Sequence, residues 1–531
     1  MTTDVSQTSP EGPTAALTRR QFTLVFVGLM LAVLLAALDQ TIVATALPTI
    51  VGELNGLEHL SWVITAYMLA ATIGLPIYGK LGDLFGRKSI FVFAIVVFLL
   101  GSVLSGLAQD MTQLIIYRAI QGIGGGGLMI GAQAIIADLV SPRERGKYMG
   151  LIGASFGLAS VSGPLLGGFI TDVWDWRWVF YINVPLGAVA LAVIIPTLHL
   201  PKPARARPRL DYVGTLLLAV ASTTLILITS WGGNTYAWNS PTIRGLAGLT
   251  VVIVAAFIAV ERRATEPVLP LALFRERNFT LPTLIGITVG IAMFATISYL
   301  PTFLQMVNGA SATASGLMMI PMTAGVLVAT IGTGQLISRT GRYKVYIVTG
   351  PVILAVGLVM LSMISADSAY VFTAAAMFVV GLGVGCLMQN LLVIVQNSVA
   401  RRDMGAATSA TNYFRQIGAS FGISMFGSLF VARLDDQMAS LPPGVPLPAG
   451  EAGISSLTPE LLASLPPQAQ EAIVNGFAQA LPPVFLLGVP IALAGLILAI
   501  FIKETPLSTR VGPPTAETAP AAPAAASGKT Q

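Results

Sequence analysis

The chain has 531 residues, of which 54% are hydrophobic and 10% charged, with a mean hydropathy of +0.79. Soluble domains carry roughly a quarter charged residues, so this composition excludes an ordinary soluble protein and indicates a polytopic membrane protein. The net charge of +5 and pI of 9.3 invite a nucleic-acid reading, which the placement of the basic residues removes.

A helical crossing needs about 20 mostly apolar residues. In chain order such runs fall near 22–46, 60–79, 90–108, 112–136, 147–170 and 178–197, then 212–231 and 243–260, then 281–304, 314–337, 345–365, 369–395, 404–431 and 481–502. The expectation is an all-α membrane protein with fourteen spans. Residues 1–21 are polar and read as a disordered cytoplasmic segment. The run after them is too long for a signal-peptide core and lacks a clear cleavage site, so the first span is expected to be retained. The basic connection 200–211 separates a first six-helix half at 22–198 from the rest. With the pair of spans after it and a second basic linker, it makes an inserted unit at 199–278. A second six-helix half then covers 279–503, and a Pro-, Ala- and Thr-rich tail at 504–531 reads as disordered and cytoplasmic.

Basic residues near span ends are held on the cytoplasmic side. With the N-terminus inside, all but five of the 29 lysines and arginines fall in cytoplasmic segments. Arg177, Arg244 and Arg433 fall outside, and Arg118 and Arg415 within spans. Both termini are then cytoplasmic, and the basic balance is topological. The one cysteine, Cys386, excludes an intramolecular disulfide and a thiolate metal cluster. No metal site and no cofactor are expected. Arginine outnumbers lysine and alanine is abundant, which hints at a GC-rich bacterial genome.

The segment at 433–480 is the longest connection, and "TPELLASLPPQAQEAIVNGFAQAL" within it reads as helical in parts, either a lid or interfacial helix or a solvated loop. An internal repeat links the halves. "GKLGDLFGRK" from Gly79 and "GQLISRTGRY" from Gly334 follow corresponding spans and share Gly, Leu, Gly and Arg, as expected of two halves with a common plan.

Two nucleotide-like patterns fail in context. "GLPIYGKL" from Gly74 has Leu81 where a phosphate loop needs Ser or Thr, and "GIGGGG" from Gly122 lies inside a span with no strand before it. Nucleotide is not an expected partner.

Asp39, in "LDQTIVATALPTI", stands alone in the first apolar run. A carboxylate in low dielectric favours its neutral form unless a cation sits near, which makes proton uptake and release possible. Intramembrane acids are functional by default; the plain alternative is a side chain bonding nearby backbone or reaching the outer surface. Arg118, with Gln121 and Gly122 on the same helix face, is the natural counterpart, or else a membrane anchor.

In "GASFGLASVSGPLLGG", Gly153, Gly157, Gly163, Gly167 and Gly168 leave one face nearly bare, allowing close helix approach, and Pro164 permits a bend. Functionally this is a pliable contact between halves; otherwise it is tight packing. In the loop motif, Gly79, Asp83, Gly86, Arg87 and Lys88 offer ion pairs and a helix terminus for a cytoplasmic latch, with Asp138 as a partner for Arg87; the alternative is topology signalling alone. Ser338 replaces the aspartate in the second copy. Gln121, Tyr299, Gln305, Gln389, Asn390, Asn412 and Arg415 are candidate cavity residues, equally able to serve as interhelical glue.

These segments together resemble the fourteen-helix drug:proton antiporter branch of the major facilitator superfamily. "LDQTIVATALPTI" is similar to its helix 1 signature, "YRAIQGIGGGG" to its helix 4 arginine motif, "GASFGLASVSGPLLGG" to its antiporter motif, and "GKLGDLFGRK" to its loop motif. The resemblance implies alternating access between two halves and no enzymatic activity. It also implies Asp39 and Arg118 as the proton-coupling pair. The expected partners are protons, the bilayer of the cell membrane, and a small amphipathic, typically cationic drug or dye; the protein is expected to be monomeric. An exporter of an endogenous lipid, siderophore or other metabolite is the neighbouring alternative, and a non-transporting sensor or scaffold the more distant one.

Overall fold

The structure is a computed structural model that describes residues 18–54, 59–200, 210–233, 235–439, 462 and 466–507. The N-terminal segment, most of the basic linker after 200, much of the long outer connection and most of the C-terminal tail lie outside the described residues. Among those described, the regular structure is helical, with one isolated bridge between Gly232 and Tyr236.

The first group of helices is α1 (Arg19–Leu54), α2 (Leu60–Phe85), α3 (Arg87–Gly106), α4 (Met111–Leu139), α5 (Pro142–Val173), α6 (Trp178–Tyr181) and α7 (Asn183–Thr197). Then come α8 (Tyr212–Trp231) and α9 (Pro241–Glu261). The last group is α10 (Arg277–Met306), α11 (Ala312–Met318), α12 (Ile320–Thr340), α13 (Lys344–Ser362), α14 (Tyr370–Ser398), α15 (Met404–Ala439), α16 (Pro467–Ala480), α17 (Pro482–Phe485) and α18 (Gly488–Ile500).

Fourteen spans arise from these helices because some crossings are broken by a turn. Prolines explain the breaks. Pro185, Pro321 and Pro490 each stand at the second or third residue of the continuing helix, where a missing N–H removes the bond that would have joined it to the preceding piece. The fourteen-span, all-helical architecture expected from hydropathy is the one observed.

The two groups meet along two seams, α2 with α15 and α5 with α12. Each begins with a close approach of glycines near the basic end of the bundle, defined by the α2–α3 turn. A Cβ on Gly79 would lie 2.5 Å from Gly405 O, and one on Gly334 would lie 2.3 Å from Gly146 O. The two copies of the repeat thus occupy corresponding places, one on each seam. Helix α8 packs beside the first seam, with Ser222 Oγ 2.8 Å from Tyr413 Oη of α15 and Trp231 edge-on to Trp62 of α2. Helix α9 touches chiefly α8 and is otherwise open.

Helix α15 runs on to Ala439, so the outer connection starts later than the apolar pattern suggested. Its described part, α16, is amphipathic; Ile473 and Phe477 are buried, and Phe477 packs edge-on to Phe430 of α15 at 5.5 Å.

Candidate functional site

Asp39 lies past the middle of α1 and is 0% exposed. An isolated charge there would cost several kcal/mol, and the surrounding helices supply what offsets it. Arg118 of α4 places Nη1 2.5 Å from Asp39 Oδ2. Gln121, one turn further along α4, donates Nε2 to Asp39 Oδ1 at 2.7 Å and accepts from Arg118 Nη1 at 2.7 Å. Asn183, the first residue of α7, donates to Asp39 Oδ1 at 3.0 Å and to Ser102 Oγ of α3 at 2.9 Å. Ser102 in turn donates to Phe180 O at 2.8 Å. Arg118 is itself 1% exposed, its guanidinium 4.3 Å above the centre of the Tyr67 ring, a favourable cation–π placement.

The glycine run of α4 makes this geometry possible. A Cβ on Gly122 would sit 2.3 Å from Tyr67 O, on Gly124 2.3 Å from Phe98 N, and on Gly126 2.5 Å from Ala71 O. From the other side, Gly101 of α3 leaves room for the Gln121 backbone, 2.4 Å from where its Cβ would be. The pattern that mimics a dinucleotide fingerprint therefore lets α2 and α3 close on α4 and delivers Tyr67 and Gln121 to the ion pair.

At the basic end, Asp83 accepts the backbone N–H groups of Gly405 and Ala406 at 3.1 and 2.9 Å. These belong to the first turn of α15, where a helix dipole favours a carboxylate. Arg87 pairs with Asp83 at 3.0 Å and with Asp138 at 2.8 Å, and Asp138 also meets Arg401 across the seam at 3.2 Å. Arg143 donates to Ser338 O at 2.8 Å and Arg339 O at 2.5 Å, while Arg145 donates to Gln396 O at 3.1 Å. Lys88 takes no part in the seam; its Nζ donates to Ile195 O at 2.7 Å, in the same half. Gly86 adopts φ 95° between α2 and α3, a conformation that only glycine takes readily.

Residues 29–423 match the family described as the Major Facilitator Superfamily. The chain belongs to that superfamily. An uncharacterized MFS-type transporter of Mycobacterium tuberculosis is 43% identical over 94% of this chain and 71% of its own length. The multidrug transporter protein MdtP of Bacillus subtilis is 38% identical, with 92% and 94% covered. Among solved structures, the proton:xylose symporter XylE has a TM-score of 0.60 at 15% identity, covering 92% of this chain and 97% of that one, a likeness of fold alone. The superfamily expected from the motifs is thus the one found, and the chain is a multi-pass membrane transporter rather than an enzyme.

The antiporter-type motif of this superfamily member divides between two neighbours. Gly153 and Gly157 lie on α12 of the other half, against Thr330 and Thr323 respectively, whereas Gly163 and Gly167 lie on α1, against Thr41 and Thr45. Gly168 meets nothing within 4 Å, and Pro164 approaches Gly316. Among the candidate cavity residues, Asn412 donates to Gln133 Oε1 of α4 at 2.9 Å, and Arg415 Nη2 donates to Asn412 Oδ1 at 2.6 Å. Asn390 bonds Thr333 and Cys386 O, Tyr299 bonds Ile423 O and Gln305 bonds Ser315, all within the second half. Gln389 is 1% exposed and neither atom of its amide has a hydrogen-bond partner.

Sequence reasoning missed Asn183, Ser102 and Tyr67. Asn183 left a signal, an amide just before Pro185 in an apolar run; Ser102 and Tyr67 left none that distinguishes them from packing residues. Among the described residues there is no group of three or more His, Cys, Asp or Glu side chains placed to hold a metal.

Proposed function

We propose that the protein exports small amphipathic molecules, drugs or dyes among them, from the cytoplasm across the cell membrane, and that protons moving inward through Asp39 drive it. The single observation that carries this reading is the Asp39–Arg118 pair, buried in the first half and contacted by residues of α4 and α7. Relatives named multidrug transporter and multidrug resistance protein support the export of drugs.

A proton added to Asp39 removes the charge that Arg118 neutralises, leaving the guanidinium with Gln121 and the Tyr67 ring. Breaking a buried pair by removing one partner costs about 3–5 kcal/mol, so the junction of α1, α4 and α7 has reason to rearrange. Thr41, two residues after Asp39, donates to Ala159 O of α5 at 3.0 Å, and α5 carries the seam with α12. Movement at Asp39 therefore reaches the second half through α1 and α5. The bonds of Asp83, Asp138, Arg143 and Arg145 hold the basic end shut, the end that is cytoplasmic if both termini are cytoplasmic. One proton descending 100 mV releases about 2.3 kcal/mol and each pH unit adds about 1.4 kcal/mol, sufficient to sustain a substrate gradient.

The test is dye efflux by cells lacking their own pumps, with and without a protonophore. Efflux that stops when the proton gradient collapses supports the reading; undiminished efflux overturns it.

A further inference from the structure

About two helical turns or more from either end of a span, the described residues include three charged side chains, Asp39, Arg118 and Arg415. The first two neutralise each other. Among the described residues Arg415 has no carboxylate within ion-pair distance, and its one hydrogen bond is to the neutral Asn412 side chain at 2.6 Å. A guanidinium carries five N–H donors arranged to grip planar anions, so most of its capacity is unspent.

Its position is central. Asn412, 3% exposed, bridges to Gln133 of the first half, which places Arg415 beside the meeting of the two halves. The α10 residue Gly290 keeps α15 close at this level, since a Cβ there would lie 2.2 Å from Arg415 O. The side chain retains partial exposure. A cation so placed, with no internal counter-charge, attracts an anion, and in a low-dielectric bundle that attraction is strong. Asp39, the acid that would serve a cationic substrate, is already engaged by Arg118.

We propose that Arg415 is a substrate-binding residue that pairs with an acidic group, a carboxylate or sulfonate, on an amphipathic substrate, so that the exporter takes organic anions. This rests on the export reading above, and the experiment separates the two. Full-length protein in proteoliposomes is assayed with two xanthene dyes of like frame and opposite charge, fluorescein as the anion and rhodamine 6G as the cation. Wild type should move fluorescein, Arg415→Gln should lose it by roughly tenfold or more, the range of a charge-assisted hydrogen bond, and Arg415→Lys should restore part of it. Rhodamine 6G movement should fall by a clearly smaller factor in Arg415→Gln, so that the ratio of fluorescein to rhodamine 6G movement drops.

Because Arg415 has no acid to orphan, Arg415→Gln should melt no lower than wild type. Anisotropy titration of fluorescein onto the purified variants reads binding apart from turnover. Asp39-dependent movement of rhodamine 6G alone, or fluorescein handled equally by wild type and Arg415→Gln, overturns the anion assignment and leaves export standing. Fluorescein bound through Arg415 with neither dye moved by wild type overturns export and leaves the anion site standing. Failure of wild type to bind or move either dye contradicts both.

Discussion

Thr41 of α1 lies against Gly163 of α5 so closely that a methyl group on Gly163 would fall 2.0 Å from the Thr41 hydroxyl oxygen. Two residues earlier on the same helix stands Asp39. Helix α1, two residues beyond the proposed protonation site, is therefore in direct steric contact with the helix that reaches the second half.

Gly163→Ala should consequently disturb α1 against α5. Overpacking a tight contact costs about 1–3 kcal/mol, and Thr41, β-branched, has little rotamer freedom with which to yield. Transport should fall while the fold persists. Adding Thr41→Gly, which removes the opposing Cβ, should restore part of the activity; no recovery in the double variant would argue against the contact as the cause.

Arg118→Met leaves a fully buried carboxylate without its cation, and the protein should lose about 3–5 kcal/mol of stability. The pair Asp39→Asn with Arg118→Met removes both charges and should recover most of that loss in thermal melts. It should recover no transport. A double variant as unstable as Arg118→Met alone would mean that the guanidinium acts through packing on Tyr67 instead.

Asp83→Asn weakens the bonds to the N–H groups of Gly405 and Ala406 and the pairing with Arg87. Hydrogen bonds involving a charged group contribute about 1.5–3 kcal/mol, so the basic end should open more often. Spin labels at the exposed positions Phe85 and Thr340 report this directly: their distance distribution should broaden and lengthen in the variant. An unchanged distribution would remove Asp83 from the closing contact.

Gln389→Met exchanges an unpartnered buried amide for an apolar chain of similar length. Leaving such a group unsatisfied costs about 1–3 kcal/mol, and the variant should melt higher than wild type. A lower melting temperature would show that the amide has a partner in the membrane.

The spans were legible because hydropathy is a property of each segment alone, and Asp39 and Arg118 because a charge in an apolar run is visible without any partner. Their neighbours were less so. Tyr67 acts by its ring face, which no local pattern announces, and Asp83 is held by backbone N–H groups of α15, whose side chains carry no message about it. The antiporter-type glycines read as one bare face, yet the helix turns through its length, so that Gly153 and Gly157 face α12 while Gly163 and Gly167 face α1. Lys88 read as part of a latch by its charge; in three dimensions the end of α7 lies nearer and Ile195 O accepts its hydrogen bond.

The most direct test of Asp39 as the proton carrier is to count protons on purified, unbuffered protein while substrate is added, using a pH indicator and rhodamine 6G or fluorescein, whichever the protein binds. Wild type should take up or release about one proton for each substrate bound, as expected if one intramembrane acid is coupled to binding, and Asp39→Asn should exchange none while still binding. Equal exchange by both proteins would contradict the account.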